Sequence, residues 1–341
     1  MLWDAVSQRW CDMSLMIHDL QTPALLVDAN LLEHNLSTLA AALPGERTRP
    51  HVKAHKCTAL AKRQAAHGHR TFTCATIREV EGMDAAGLGD DLLLANEVVD
   101  ARRLGSLTAR VTVAVDSEAT IEAAAAGGVR EVVIDVNVGL PRCGCMPDEA
   151  GRLADLALKK GLAVRGVMGY EGHVVGLDDR DARVRLCKES MQLLLAAHKQ
   201  VGGALISAGG TGTYDCNVWA NEIQAGSYAL MDTAYAKLGL PFRQALSVLA
   251  TVISVSPAYA VGNCGLKSLG MDHGDPSIDD AHVLFCSDEH VTFVSSKPVR
   301  VGERVRVWPA HIDPTVAYHA QMHVVSGDEV LDTWAVDLRG W

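Results

Sequence analysis

Between Arg49 and about Leu240, short runs rich in β-branched residues alternate with Ala- and Leu-rich stretches of helical spacing. This alternation restricts the fold more than any other feature of the chain. Strands are expected at 49–53, 71–75, 91–95, 111–115, 131–138, 163–169, 204–208 and 222–230, with helices at 59–67, 78–86, 118–126, 148–160 and 180–201. Eight such βα-like units suit a closed (β/α)8 barrel of the TIM type, in the α/β class. An open, doubly wound sheet competes with it, because spacing alone does not show closure. That competitor carries a glycine fingerprint for a dinucleotide after an early strand, and none is present here.

Past Phe242 the texture changes. Strand-like pieces at 249–255, 282–286, 291–294, 304–307, 322–325 and 334–338 are separated by turn signals such as Asp272-His-Gly-Asp-Pro276, with no long helical pattern between them. A second, mostly antiparallel β domain follows from this. A chain of 341 residues exceeds what one core usually serves, so two domains are expected: a barrel over 19–242, and a β domain over 243–341 joined by residues 1–18. The early strand 24–28 precedes the repeating units and is read as a link between the two.

Composition removes several function classes. With 31 Lys and Arg against 41 Asp and Glu, the net charge of −10 argues against a nucleic-acid partner. No run reaches the roughly 20 apolar residues that span a bilayer, so no membrane association is expected. The first ten residues hold Asp4 and lack the apolar stretch of a secretory signal. Nine cysteines with no Cys-x-x-Cys pair fit neither a disulfide framework nor a four-cysteine zinc site, and point to a reducing cytoplasm.

Four constellations carry chemistry. In Arg49-Pro-His-Val-Lys-Ala-His-Lys56, Lys53 falls at the end of the first repeating strand, where barrel active sites gather. Partial desolvation and the neighbouring Lys56, His51 and His55 would favour its neutral amine, as an imine former requires; a solvated basic loop is the plainer reading. Glycine-rich Gly209-Gly-Thr-Gly-Thr-Tyr214 and Gln224-Ala-Gly-Ser-Tyr228 follow late strands and suit a phosphate cup, although either alone is simply a turn. Arg142, in Asn137-Val-Gly-Leu-Pro-Arg142, sits where a fixed cation holds a phenolate or ring nitrogen. Tyr170 and His173 stand at the next rim, His173 with a structural hydrogen-bonding role as the alternative. Finally, Pro309-Ala-His-Ile-Asp-Pro-Thr315 places His311 and Asp313 on one face of an extended chain, a pair suited to an open Mn, Mg or Zn site or to no more than a surface contact.

In this order, these motifs resemble the D-threonine aldolase / D-serine dehydratase family of alanine-racemase-like enzymes, over about Asp19 to Trp341. Ile134-Asp-Val-Asn-Val-Gly139, Gly169-Tyr-Glu-Gly-His173 and Ser287-Asp-Glu-His290 add to the resemblance. It implies a pyridoxal phosphate (PLP) barrel plus a β domain, as a homodimer acting on a small D-amino acid. Lys53 is then the lysine that bonds the cofactor. Gly212, Thr213, Gly226, Ser227 and Tyr228 form the phosphate cup, Arg142 and Tyr170 flank the ring, and His311 and Asp313 bind the divalent metal. His173 would act as base through a metal-bound water, splitting a D-3-hydroxy amino acid into glycine and an aldehyde. The resemblance also admits D-serine or D-3-hydroxyaspartate dehydration with the same cofactors. Asp at 313, where dehydratase members tend to have Cys, favours the aldolase. Ala310 in place of the common Asn, and Val316-Ala-Tyr-His319 in place of Val-Asn-Leu, depart from the pattern. A cofactor carrier without activity would resemble the barrel alone, and a racemase would give the metal motif no role.

Overall fold

Strand β1 (Ala24–Asp28) runs into helix α1 (Ala29–Ala42), which Asp28 caps by accepting hydrogen bonds from Asn30 N and Leu31 N at 3.0 and 2.9 Å. In the computed structural model, which describes residues 15–341, the repeating units then follow: α2 (Thr58–Ala66), β2 (Thr71–Cys74), α3 (Ile77–Ala85), β3 (Asp91–Leu94), β4 (Val111–Val115), α4 (Glu118–Ala126), β5 (Glu131–Asp135), α5 (Ala150–Lys159), β6 (Ala163–Met168), α6 (Arg180–Val201), β7 (Leu205–Ala208), β8 (Glu222–Ile223) and the short α7 (Thr233–Ala236). Strands β2 to β8 pair in sequence order, every pair parallel. The N-terminal segment 1–10, and most of the 1–18 piece expected to join the β domain, lie outside the described residues.

Segment 48–51 closes the barrel. Thr48 bridges Ile223 of β8 and His51 bridges Thr73 of β2, both parallel. Arg49 N donates to Ile223 O at 2.9 Å, and Thr73 N donates to Pro50 O at 2.9 Å. The strand expected at 49–53 is thus an eighth stave reduced to isolated bridges. Pro50 has no N–H to give to a ladder, and from Val52 the chain winds into one 3₁₀ turn. That turn leaves Lys53 at the rim.

Alternate faces of the strands serve different cores. Leu92, Leu94, Val113, Val115, Val132 and Ile134 join the main core, whereas Leu93, Ala114, Val133, Met168 and Leu205 pack together as a separate cluster. The N-terminal floor is ionic. Arg49 contacts Asp91 at 3.1 Å and Glu222 at 2.8 Å, and Arg165 reaches Asp91 at 2.7 Å.

The second sheet contains β9 (Leu246–Val255), β10 (Ala260–Gly262), β11 (Ser277–Ile278), β12 (Ala281–Cys286), β13 (Val291–Ser295), β14 (Arg304–Trp308), β15 (Gln321–Ser326) and β16 (Glu329–Ala335). Its order is β10-β13-β12-β11-β14-β9-β1-β15-β16, and an added β10–β9 pairing closes six of these strands into a ring. Two expectations change. Strand β1 is a member of this sheet, antiparallel to β9 and parallel to β15, so the division at residue 19 puts it in the wrong unit. Its linking character remains: Leu25 and Val27 face the main core, while Ala24 and Leu26 pack with Leu20, Leu249 and Val325. The last strand lies earlier than 334–338, and a short helix α8 (Ile312–Tyr318) interrupts the strands. Among the described residues, no helix is long and apolar enough to cross a membrane, and the eight cysteines are all free.

Candidate active site

The metal motif reaches the barrel through buried hydrogen bonds. Asp232, between β8 and α7, accepts from Tyr235 N at 2.9 Å and from Ile312 N at 3.1 Å, and Thr233 N donates to Pro309 O at 3.1 Å. One barrel carboxylate therefore caps its own helix and holds the start of α8. Thr315 adds a second anchor: its hydroxyl donates to His311 O at 2.7 Å and accepts from Gly270 N at 2.8 Å.

His311 and Asp313 were expected on an extended chain. Instead His311 is the extended N-cap of α8 and Asp313 lies in its first turn. Pro314 suits that turn, where N–H groups have no intrahelical partner. The two side chains still converge, with His311 Nε2 3.9 Å from Asp313 Oδ1. Asp313 Oδ2 pairs with Lys53 Nζ. The other oxygen, Asp313 Oδ1, is buried with no hydrogen-bond partner among the described residues.

This ion pair reverses the charge expected for Lys53. Burial alone would lower the ammonium, but the Asp313 carboxylate more than offsets it, so the lysine is held protonated above its ordinary value. The expected cationic neighbours are spent elsewhere. Lys56 pairs with the buried Glu79. His55 Nε2 lies 3.2 Å from Gln64 Oε1, and burial lowers its pKa to about 4. Burial, then the Lys53 charge, pushes His51 well below its usual value. On Asp313, burial raises the pKa but Lys53 prevails and the net shift is downward.

Lys53 opens onto two adjoining cavities that share Arg142, Tyr170, Ser227 and Tyr235. The inner one, about 210 Å³, is walled by His51, Gly209, Gly210, Thr211, Gln224 and Gly226. The outer one, about 580 Å³, carries His311 and Asp313, together with Val175, Leu238 and His273. The Arg142 guanidinium lies 5.3 Å from the centre of the Tyr170 ring, a cation–π contact that fixes both. Burial raises the Tyr170 phenol, with Lys53 opposing, and pushes Tyr235 up further.

Around His311, the Nδ1 atom lies 2.9 and 2.8 Å from the two oxygens of Asp272. His273 stacks on the same ring, centroids 3.8 Å apart and 10° from parallel. Asp272, His273 and His311 offer ligand atoms within 4.8 Å of one another. Lone pairs of parallel rings lie in parallel planes, so the stacked imidazoles do not aim at one ion. Asp272 instead accepts a hydrogen bond from Nδ1–H, which leaves the Nε2 lone pair toward Asp313.

The comparisons with known proteins agree with this geometry. Residues 27–234 match the alanine racemase N-terminal domain, and residues 245–325 match a putative serine dehydratase domain. A D-threonine aldolase from Arthrobacter sp. is 32% identical, covering 94% of this chain and 93% of its own length. A 3-hydroxy-D-aspartate aldolase from Paracoccus denitrificans is 31% identical with the same coverage. The crystal structure of D-threonine aldolase from Filomicrobium marinum superposes with a TM-score of 0.90 at 33% identity, covering 97% of this chain and 98% of that one. The chain belongs to the D-threonine aldolase / D-serine dehydratase family.

PLP is the cofactor of this fold family, and the residues present fit it. The inner cavity offers a lysine amine, a glycine cradle and hydroxyls. At Gly226 a Cβ would sit 2.8 Å from His51 O, so a side chain there is excluded. The residues that line the inner cavity differ from the expected set. Gly226 and Ser227 line the cavity as expected, joined by Gly209, Gly210 and Thr211. Gly212 instead packs on the Val175 backbone, and Thr213 turns its hydroxyl to Glu171 at 2.8 Å. Tyr228 N donates to Thr211 Oγ1 at 2.9 Å, while its buried phenol accepts from Gln64 at 3.0 Å. Neither cavity is lined by His173: it stands between the wall residues Gly172 and Val175 with its imidazole against Gly139. Asp272, His273, Thr211 and Tyr235 were missed. The Asp-His pair was legible only as a turn, and Tyr235 left no motif.

A divalent cation also fits. Asp313 Oδ1 is an orphaned buried oxygen, and its 3.9 Å separation from His311 Nε2 would have to close by about 0.5 Å to reach the roughly 3.4 Å between two ligands about 2.1 Å from a tetrahedral ion.

Proposed function

We propose that the chain is a PLP- and divalent-metal-dependent lyase that cleaves D-3-hydroxy amino acids to glycine and an aldehyde. One observation carries this reading: Asp313 touches Lys53 through one oxygen and faces His311 with the other, so the cofactor lysine and the metal pair share one cavity. PLP supplies an electron sink for the bond broken at Cα. His311 and Asp313 would hold a divalent ion (Mn, Mg or Zn), which would supply Lewis acidity to a hydroxyl brought beside it.

The chain's own residues do the rest. The Gly209–Thr211 stretch, with Gly226 and Ser227, gives the cavity that Lys53 also lines a wall of small residues and hydroxyls suited to an anion. Arg142, seated on the Tyr170 ring, keeps a fixed positive charge at the junction of the two cavities. Tyr170 and Tyr235 are protonated phenols at neutral pH, which burial reinforces, and from the walls of both cavities they offer hydrogen-bond donors to a bound substrate. Val175 and Leu238 give the outer cavity apolar surface for a substituent on Cβ. To act as base, His173 must turn its imidazole off Gly139 toward this wall; unchanged kcat in His173→Ala would retire that assignment.

Asp rather than Cys at 313 supports the aldolase over the dehydratase. Product analysis on D-threonine, D-serine and D-3-hydroxyaspartate, with and without Mn, tests it: glycine plus aldehyde is expected, abolished by EDTA. Pyruvate from D-serine without cleavage of D-threonine would establish the dehydratase instead. The eight cysteines among the described residues are free, which fits a cytoplasmic setting. Exposed Ile253, Val255, Leu284, Phe285 and Val294 on β9, β12 and β13 support a homodimer burying this face; a single-chain mass by light scattering would refute it.

A further inference from the structure

Glu171 lies in the rim motif Gly169-Tyr-Glu-Gly-His173 yet lines neither cavity. It is fully buried, where an ionisable side chain needs partners. Its partners come mostly from one place. Gly209 N donates to Oε2 at 3.1 Å, and Thr213 Oγ1 and Asn217 Nδ2 donate to Oε1 at 2.8 and 3.1 Å. The Cys187 thiol, from α6, makes a fourth, longer contact at 3.8 Å. One carboxylate therefore gathers the start, middle and end of the 209–217 loop.

The bonds propagate to the cavity wall. Gly210 N donates to Thr213 Oγ1 at 3.3 Å, and that hydroxyl in turn donates to Glu171. The hydroxyl thus has a fixed orientation, which explains why Thr213 does not face the cavity. Thr211 sits between this relay and the second half of the cup, which it joins through Tyr228 N. Two consecutive wall residues, Gly209 directly and Gly210 through the Thr213 hydroxyl, are held by a group that lines neither cavity, and Thr211 follows them in the chain.

We propose that Glu171 is a positioning residue for the cofactor phosphate, fixing the 209–217 loop in the shape that receives an anion. The inference rests on the PLP reading above, and the test separates the two. Affinities for PLP and for pyridoxal, which lacks the phosphate, are measured by absorbance titration of the cofactor-stripped protein. The wild-type chain should prefer PLP strongly; absence of that preference would sink the cofactor reading itself.

In Glu171→Gln, an amide NH₂ takes the place of one carboxylate oxygen, so one of the three donors meets a donor. Affinity for PLP should fall by about tenfold to a hundredfold while affinity for pyridoxal stays within about twofold. Thr213→Val removes both bonds of that hydroxyl, to Glu171 and from Gly210 N, without changing the side chain's shape; Gly209 and Asn217 stay bonded to Glu171, and the same ratio should shift in the same direction. It decides the matter if the Gln variant does not fold. A wild-type PLP-to-pyridoxal ratio in the folded variants, or an equal loss of both affinities, would overturn the proposal.

Discussion

Gly212→Ala should damage the cofactor site although Gly212 itself lines neither cavity. A Cβ at Gly212 would stand 1.8 Å from Val175 O, and real Cβ atoms essentially never come within 3.0 Å of another heavy atom. The loop or the Val175 backbone must therefore give by at least about 1.2 Å, and neither is the free end of a flexible side chain. Gly210 and Thr211 precede Gly212 directly and line the inner cavity, while Val175 lines the outer one, so the displacement is shared between both walls. Misplacement on the order of 1 Å costs about a hundredfold in a preorganised site. We expect PLP affinity to fall by about ten- to a hundredfold, roughly 1.4–2.8 kcal/mol. The assay is absorbance titration with PLP, alongside Gly176→Ala, a site with nothing within 4 Å of a built Cβ. Wild-type affinity in folded Gly212→Ala would refute the close packing on Val175, and with it the account of how the loop is held.

Lys53→Ala should leave no cofactor that borohydride can fix to the chain, as read by intact mass. His311→Ala should weaken Mn binding in a calorimetric titration by about a hundredfold or more, with PLP content unchanged; Asp272→Asn should cost about ten- to a hundredfold by freeing the imidazole to rotate or change tautomer. Asp91 gives the pH dependence of stability. Burial raises its pKa, but the bonds to Arg165 and the charge of Arg49 prevail, and the net shift is downward. A depressed carboxylate contributes stability that is present above its unfolded value and lost as pH falls through the folded one. Thermal melting should therefore drop in the acid range below about pH 4. Asp91→Asn should lower stability by about 3 kcal/mol at pH 7, because Glu222 still pairs with Arg49. Its melting should also be less sensitive to acid than that of the wild type.

Much of this was legible in the sequence. The barrel was, because its strands are buried on both faces and so read as continuous β-branched runs between helices. The membership of β1 was not: Ala24-Leu-Leu-Val27 is buried on both sides, and nothing local says which sheet takes it. Helix α8 was misread as extended, although Asp313 and Pro314 are first-turn residues by type. The glycine loop does border the cavity beside Lys53, but through Gly209, Gly210 and Thr211 rather than the expected Gly212 and Thr213. Which hydroxyl faces the cavity depends on Glu171, some 40 residues earlier in the chain. The charge on Lys53 was beyond local reasoning for the same reason: the carboxylate that sets it is 260 residues away.

The central claim is that the cofactor lysine and the metal pair act at one place. Anomalous diffraction at the Mn edge from crystals loaded with PLP and Mn tests it most directly. The account predicts an ion between His311 Nε2 and Asp313 Oδ1, and continuous density from Lys53 Nζ to the cofactor in the adjoining cavity. An Mn peak bound elsewhere, with His311 and Asp313 empty, would contradict it.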